Sequence, residues 1–318
     1  MFTGLAPHLS SFAVDVIRGL TSSGQKQLSP SFLYDDLGSA LFEAITLLPE
    51  YGLTRADERL VERLAPEIVG YLRSLSLVAE LGSGSGRKTR RILEALLNAR
   101  GAAAYYPIDV SQGALDACER DLSTVADVRP VRASWLEGLK EVVEKRGDAP
   151  LLLLFLGSTI GNLPRSEIIP FLGDVRSHMQ PGDLFLIGVD LLKGEDVMLA
   201  AYDDPTGVTA AFNRNLLGRI NRDLGGHFDL TAFRHEARWH AAERRIEMHL
   251  VSRREQTVSI DALRTSVRFD EGESIWTEAS HKFGADELNA YARQANFALL
   301  QTWVDLEWPF AETLWVAE

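Results

Sequence analysis

The stretch LVAELGSGSGRKTRRILEALLNA (77–99) decides the fold. LVAEL (77–81) is an apolar run of strand length, and RKTRRILEALLNA (87–99) reads as a helix. Between them, GSGSG (82–86) supplies Gly82, Gly84 and Gly86, which let the backbone turn sharply and let a ligand approach it. The same loop could also be a tight turn with no ligand, so the surrounding sequence has to choose.

Outward from this stretch, strands and helices alternate. AYYPID (104–109) is a second strand, SQGALDACERDL (111–122) a helix capped by Ser111, and DVRPV (127–131) a weaker strand. LLLLFL (151–156) is apolar on both faces, as parallel strands are. SEIIPFLGDVRSHM (166–179) is a helix, Pro181-Gly182 a turn, and LFLIGVDLL (184–192) another strand. This alternation predicts an α/β domain with a doubly wound parallel sheet.

The pattern breaks after Leu192. A helical region from Asp196 to Leu224 precedes three period-two segments, RRIEMHLVS (244–252), QTVSI (256–260) and SIWTEAS (274–280), which read as antiparallel strands. The α/β texture resumes with a helix from Ala285 to Gln294 and strands LLQTWV (299–304) and TLWVAE (313–318). Upstream, Phe12, Val14, Ile17 and Leu20 mark one helix. Ser39 is the expected cap of a second helix through Phe42, Ile45 and Leu48, and a third runs from Arg55 to Arg73. The expected organisation is an α/β domain over 57–193 and 283–318. A second, α+β domain is formed by 1–56 and the inserted 194–282.

The 318 residues carry a formal net charge of −12. Such acidity argues against a nucleic acid or an anionic membrane as partner. The longest apolar run, 151–156, is far short of a membrane span. MFTGLAPHLSSF (1–12) lacks the basic start and long apolar stretch of a signal peptide. Cys118, the single cysteine, cannot form an internal disulfide, so a cytoplasmic location is expected. The seven histidines are scattered without zinc-type spacing, and no metal is expected.

Asp109 ends the second strand, where a carboxylate can accept both hydroxyls of a ribose. A dinucleotide loop usually reads GxGxxG; here the third glycine arrives early and Glu80 precedes the first. That pattern resembles class I, Rossmann-like S-adenosylmethionine (SAM) methyltransferases better than dehydrogenases. LGSTIGNLP (156–164) places small residues at the end of the next strand, near the switch point, where Asn162 offers both a donor and an acceptor.

Seven segments together carry a more specific resemblance. They are FLYDDLGSALFEAITLLPEY (32–51), ELGSGSGRKT (80–89), PIDVS (107–111), FLGSTIGNL (155–163), AYDDPTGVTAAFNRN (201–215), RRIEMHL (244–250) and TEASHKF (277–283). In order and spacing they resemble the SAM-dependent histidine Nα-methyltransferases, which form hercynine, the trimethyl betaine of histidine, for ergothioneine biosynthesis. The resemblance spans nearly the whole chain, and AYDDPTGVTAAFNRN is its most specific block. It implies SAM as cofactor, and L-histidine with its mono- and dimethyl forms as substrate.

The resemblance also implies roles. Asn162 and Tyr202 match positions that hold the substrate carboxylate and amine. Tyr34 and Tyr51 match tyrosines lining the reaction site, and the candidate proton acceptor is Tyr34 or water held by Tyr51 and Asn162. Glu278 and Ser280 match the pair that reads the imidazole, and Thr209, Phe212 and Met248 match pocket walls. Gly82, Lys88 and Asp109 match SAM contacts, with Gly84 in the same loop. Ser134-Trp135 stands where the family often has Asp-Phe beside the adenine; a hydroxyl still accepts from the adenine amine, and Trp still stacks. Gly52-Leu53 replaces the family's usual Tyr-Pro after Tyr51.

One point stands without the resemblance. Glu278 and Ser280 are two apart on a strand, so they share a face. Neutral imidazole has one N–H donor and one acceptor nitrogen, and a carboxylate beside a hydroxyl satisfies both. The expected reaction is three in-line methyl transfers to the α-amino nitrogen after loss of its proton, with the protein mainly aligning the reactants. Two alternatives are N-methylation of another aromatic amino acid, such as a tryptophan derivative, and a catalytically silent SAM-binding sensor. Glu278 speaks against the first, because indole has a donor and no acceptor. Retention of both sets of residues speaks against the second.

Overall fold

A computed structural model describes residues 10–72 and 76–318. Residues 1–9, and Arg73 at the end of the third expected helix, lie outside the described residues. The chain divides into two compact units, an α+β unit of residues 10–51 and 194–280, and an α/β unit of residues 52–193 and 281–318.

The first elements are α1 (Ser11–Leu20), the two-residue strand β1 (Lys26–Gln27) and α2 (Asp36–Thr46). Asp35, not Ser39, caps α2: its Oδ1 accepts the Gly38 N–H at 2.7 Å, and its charge suits the positive end of the helix. Next comes α3 (Gly52–Gly70), whose first residue lies against the Trp308 indole. A Cβ on Gly52 would sit 2.1 Å from the Trp308 ring, which is a local reason for glycine at this departure from the family pattern.

The α/β unit continues with β2 (Leu77–Leu81), α4 (Arg90–Arg100), β3 (Ala104–Asp109) and α5 (Gln112–Leu122). The weak third strand is split into β4 (Asp127–Val128) and β5 (Val131–Arg132), because Pro130 between them has no N–H for the ladder. After it, α6 (Trp135–Arg146) is a helix that the sequence reading lacks. Then follow β6 (Leu151–Phe155), α7 (Arg165–Ser177) and β7 (Leu184–Asp190).

The long helical region of the insertion is two helices, α8 (Glu195–Tyr202) and α9 (Val208–Leu224). Gly207, at φ +80°, breaks it. The Asp204 carboxylate caps α9 by accepting the N–H groups of Val208 and Thr209 at 3.1 and 2.7 Å. Five strands follow: β8 (Phe233–His240), β9 (Arg245–Ser252), β10 (Gln256–Ile260), β11 (Thr265–Phe269) and β12 (Ser274–His281). Of these, β8 and β11 are additions to the sequence reading. The order β1-β12-β9-β8 makes one sheet, and β10-β11 form a separate hairpin.

The chain ends with α10 (Ala285–Gln294), β13 (Phe297–Asp305) and β14 (Phe310–Ala317). The large sheet runs β13-β14-β7-β6-β2-β3-β4, with β5 also paired to β3. Strands β7, β6, β2 and β3 are mutually parallel, whereas β14 runs antiparallel to β7. Every residue of β2, β6 and β7 is buried, as a sheet covered on both faces requires. Strand order reverses between β2 and β6, so the crevice at their carboxyl ends is the switch point where such sheets bind ligands. Among the described residues no helix is long and apolar enough to cross a membrane.

Candidate active site

The glycine loop lies at this switch point. Gly82, Gly84 and Gly86 adopt φ of +68°, +53° and +66°, in the left-handed region that disfavours other residues. A Cβ on Gly86 would meet Cys118 Sγ and Leu122 Cδ1 at 2.7 Å, so this glycine is also required by packing. A Cβ on Gly84 would meet nothing within 4 Å, so the backbone there faces open space.

Asp109 is half-buried beside the loop. Its Oδ2 accepts the Gly84 N–H at 3.0 Å and its Oδ1 the Ser111 N–H at 2.9 Å. A carboxylate has about four acceptor sites, so capacity remains for two hydroxyls. Glu80 is buried behind the loop, where its Oε2 accepts the hydroxyls of Thr89 at 2.6 Å and Tyr105 at 2.5 Å. Burial pushes its carboxyl up to about 7, against the pull of those two bonds. These bonds tie the loop's end to β3, and they explain why α4 begins at Arg90 rather than at residue 87.

Lys88 forms an ion pair with the buried Asp57 of α3. Asp57 Oδ2 also accepts the Gly157 N–H at 2.9 Å, linking the glycine loop to the loop after β6. In that second loop Ser158 has φ +59°, an unfavourable value for a side-chain-bearing residue. Its hydroxyl accepts the Asp190 N–H at 2.9 Å, and the short 3-10 turn Thr159–Asn162 follows. Ser134 is exposed and donates its hydroxyl to Glu137 at 2.6 Å, leaving oxygen lone pairs as acceptors. Trp135 packs edge-on against Phe155 and Phe171, with ring centroids 5.1 and 5.8 Å apart. Its Nε1 lies 3.3 Å from where a Gly82 Cβ would be.

In the α+β unit, β12 presents Glu278 and Ser280 on one buried face. Tyr34 donates its hydroxyl to Glu278 Oε1 at 3.3 Å, and Tyr202 donates to Ser280 Oγ at 2.7 Å. Around these bonds runs a chain of aromatic rings. Tyr34 contacts Phe212 at 5.5 Å and Phe42 at 5.6 Å, Phe42 contacts Tyr51 at 6.3 Å, and Tyr51 contacts Tyr202 at 5.9 Å. Phe42 is the member that sequence reading treated only as an apolar helix position. Thr209, at the capped start of α9, and Met248 of β9 are buried.

A polar network supports the same strand. His235 shares a hydrogen with the Tyr202 carbonyl through Nε2 at 2.7 Å, and its Nδ1 contacts the Asn213 amide at 2.9 Å. Asn213 Oδ1 accepts the Thr277 hydroxyl at 2.7 Å. This fixes His235 as the Nε2–H tautomer, with Asn213 donating to Nδ1. Burial lowers the His235 pKa, which keeps the ring neutral. Asn213 lies in the AYDDPTGVTAAFNRN block, so the block's specificity was visible in sequence although this partner was not.

One expected role does not fit this geometry. Burial and the Glu278 charge hold the Tyr34 phenol well above its ordinary pKa, so it stays protonated. A neutral phenol already donating to a carboxylate is a poor proton acceptor, and the Tyr34 hydroxyl donates to Glu278.

The glycine cradle, the open backbone at Gly84 and the remaining acceptor capacity of Asp109 fit a nucleoside with an adjacent charged tail. Together with the sheet order, they define a class I SAM methyltransferase. The family described as "Histidine-specific methyltransferase, SAM-dependent" matches residues 12–317. A histidine N-alpha-methyltransferase of Mycobacterium tuberculosis is 42% identical over 295 residues, covering 92% of this chain and 90% of that one. Ergothioneine biosynthesis protein 1 of Neurospora crassa is 34% identical over 213 residues, which are 64% of this chain and 23% of that protein. Among solved structures, a possible exported protein from Bordetella parapertussis superposes with a TM-score of 0.50 at 12% identity. It covers 96% of this chain and 87% of that one, and bears on the fold alone. The chain belongs to the SAM-dependent, histidine-specific methyltransferase family.

Proposed function

We propose that this enzyme methylates the α-amino nitrogen of L-histidine three times, releasing hercynine and three S-adenosylhomocysteine in the cytoplasm, as a step toward ergothioneine. The observation that carries the reading is the Glu278/Ser280 pair on one buried face of β12, each already bonded to a tyrosine hydroxyl. The carboxylate accepts the imidazole N–H in a charge-assisted bond. Ser280 accepts from Tyr202 and carries a hydroxyl proton of its own, a donor of the kind the second ring nitrogen requires. Family membership and the named relatives support the same substrate.

SAM supplies an electrophilic methyl group on a sulfonium. The protein's residues bind and align. Asp109 takes the ribose hydroxyls, Ser134 and Trp135 the adenine, Lys88 the carboxylate of the amino-acid tail, and Gly82 and Gly84 give the backbone close access. Asn162 and Tyr202 hold the carboxylate and amine of histidine, Tyr51 lines the reaction site, and Thr209, Phe212 and Met248 form walls. An α-amino group is largely protonated at pH 7, so each transfer must be preceded by loss of a proton, here to water. The Tyr34 and Tyr202 hydroxyl protons are committed to Glu278 and Ser280, which keeps these donors off the tertiary amine before the last transfer.

Incubation with SAM and one amino acid at a time, followed by mass spectrometry, tests the reading. Histidine is expected to gain three methyl groups, located on the α-nitrogen by fragmentation. Transfer only to tryptophan or another amino acid overturns the substrate, and transfer to none, with SAM bound, indicates a sensor.

A further inference from the structure

Behind the glycine loop, Asp57 of α3, Lys88 and Glu312 of β14 converge with the Gly157 N–H. Asp57 and Glu312 are both fully buried, at 0% exposure. Asp57 Oδ2 binds the Lys88 ammonium and the Gly157 N–H. Among the described residues, no N–H or neutral hydroxyl reaches Asp57 Oδ1 or either oxygen of Glu312. The sheet makes room for this second carboxyl: Gly188 of β7 is its cross-strand partner, and a Cβ there would lie 2.8 Å from Glu312 Oε1.

Two buried carboxylates facing one another with no donor between them cannot both be ionised. The arrangement is satisfied when one of them keeps a proton and gives it to the other. Asp57 already has a cation and an N–H, so it is the ionised partner. Burial and the Asp57 charge hold the Glu312 carboxyl well above its ordinary range, and Asp57 keeps the Lys88 ammonium protonated despite its burial. The other acid facing the group is Glu80 of β2, which is bonded to Thr89 and Tyr105.

We infer that Glu312 is a neutral, proton-donating positioning residue, whose hydrogen bond to Asp57 sets the Lys88 ammonium for the carboxylate of SAM. The inference rests on the reading of Lys88 as a SAM contact. Its chemistry is charge accounting. With Glu312 protonated, Asp57 and Lys88 cancel, and the partly exposed ammonium can take up one further carboxylate. With Glu312 ionised, the same place would carry a net negative charge and repel it. No proton moves during catalysis in this scheme.

The test compares Glu312→Gln, Glu312→Met and Lys88→Met in the full chain, by calorimetric SAM affinity, KM and kcat. Gln still donates to Asp57, so Glu312→Gln is expected to keep SAM affinity near wild type. Glu312→Met, which cannot donate to Asp57, should weaken SAM about tenfold, the worth of one lost hydrogen bond. Histidine KM and kcat at saturating SAM should change little in the two Glu312 variants. Infrared spectra recorded well above the Glu80 carboxyl's value of about 7 should show a protonated-carboxyl stretch that Glu312→Gln removes. Its absence from the wild type overturns the inference even if Glu312→Met fails to fold. Wild-type SAM affinity in Glu312→Met, or equal losses in Glu312→Gln and Glu312→Met, also overturns it. Wild-type SAM affinity in Lys88→Met instead overturns the reading of Lys88.

Discussion

Tyr202 donates its hydroxyl to Ser280 across 2.7 Å, joining the end of α8 to β12 through two buried side chains. Ser280→Ala removes the acceptor of that bond and the donor proposed for the imidazole. The expected result is a histidine KM raised by roughly ten- to a hundredfold, as for a buried polar group left without its partner. SAM affinity should stay at wild type. Steady-state kinetics with each substrate varied in turn checks this, and an unmoved histidine KM would remove Ser280 from the pocket.

Asp109 holds the Gly84 and Ser111 N–H groups with one oxygen each. Asp109→Ala is expected to weaken SAM by about 1.5–3 kcal/mol, the usual worth of hydrogen bonds to a charged group. Histidine binding should be nearly unaffected. Titration calorimetry with SAM, and with NAD as control, reads this directly. Unchanged SAM affinity, or tighter binding of NAD, would be the contrary result.

The α/β core was legible because buried parallel strands are written as unbroken apolar runs, such as LLLLFL, and because GSGSG sits between one of them and a helix. Glu278 and Ser280 were legible through strand periodicity, and the structure puts both on a buried face. The omissions have physical causes. In α6, WLEGLKEVVEKR carries charges at half of its positions, which blurs the apolar stripe. In β8, FRHEARWH is largely polar and half-exposed, and β11 has only five residues. Asp57 read as an ordinary polar helix position and Glu312 lay just before the strand expected at 313–318, and only the fold reveals that they meet. The Ser39 cap failed because Asp35 offers a better acceptor at the position where the helix starts.

Glu80 gives a pH dependence of stability. Its folded pKa, about 7, is raised from an ordinary 4.5 by burial. The folded state therefore binds more protons than the unfolded state between these values. The contribution is fully present below about pH 4.5 and is lost as pH rises through about 7, with an upper bound of about 3 kcal/mol. Glu80→Gln should flatten the decline in thermal stability between pH 5 and 8, roughly the window set by those values. Melting curves across this range check it; parallel profiles for variant and wild type would contradict it.

The central claim is that the enzyme reads the imidazole of histidine through Glu278, and its most direct test is a ratio. The measurement is kcat/KM for histidine and for tryptophan, in wild type and in Glu278→Ala. A site built for two polar contacts rejects a ring that cannot make them, so wild type should prefer histidine by roughly 10⁴ or more. Glu278→Ala should lower histidine kcat/KM by roughly 10- to 150-fold, equivalent to about 1.5–3 kcal/mol, with tryptophan unchanged or improved. An unchanged ratio in Glu278→Ala, or a wild-type preference for tryptophan, would contradict the account.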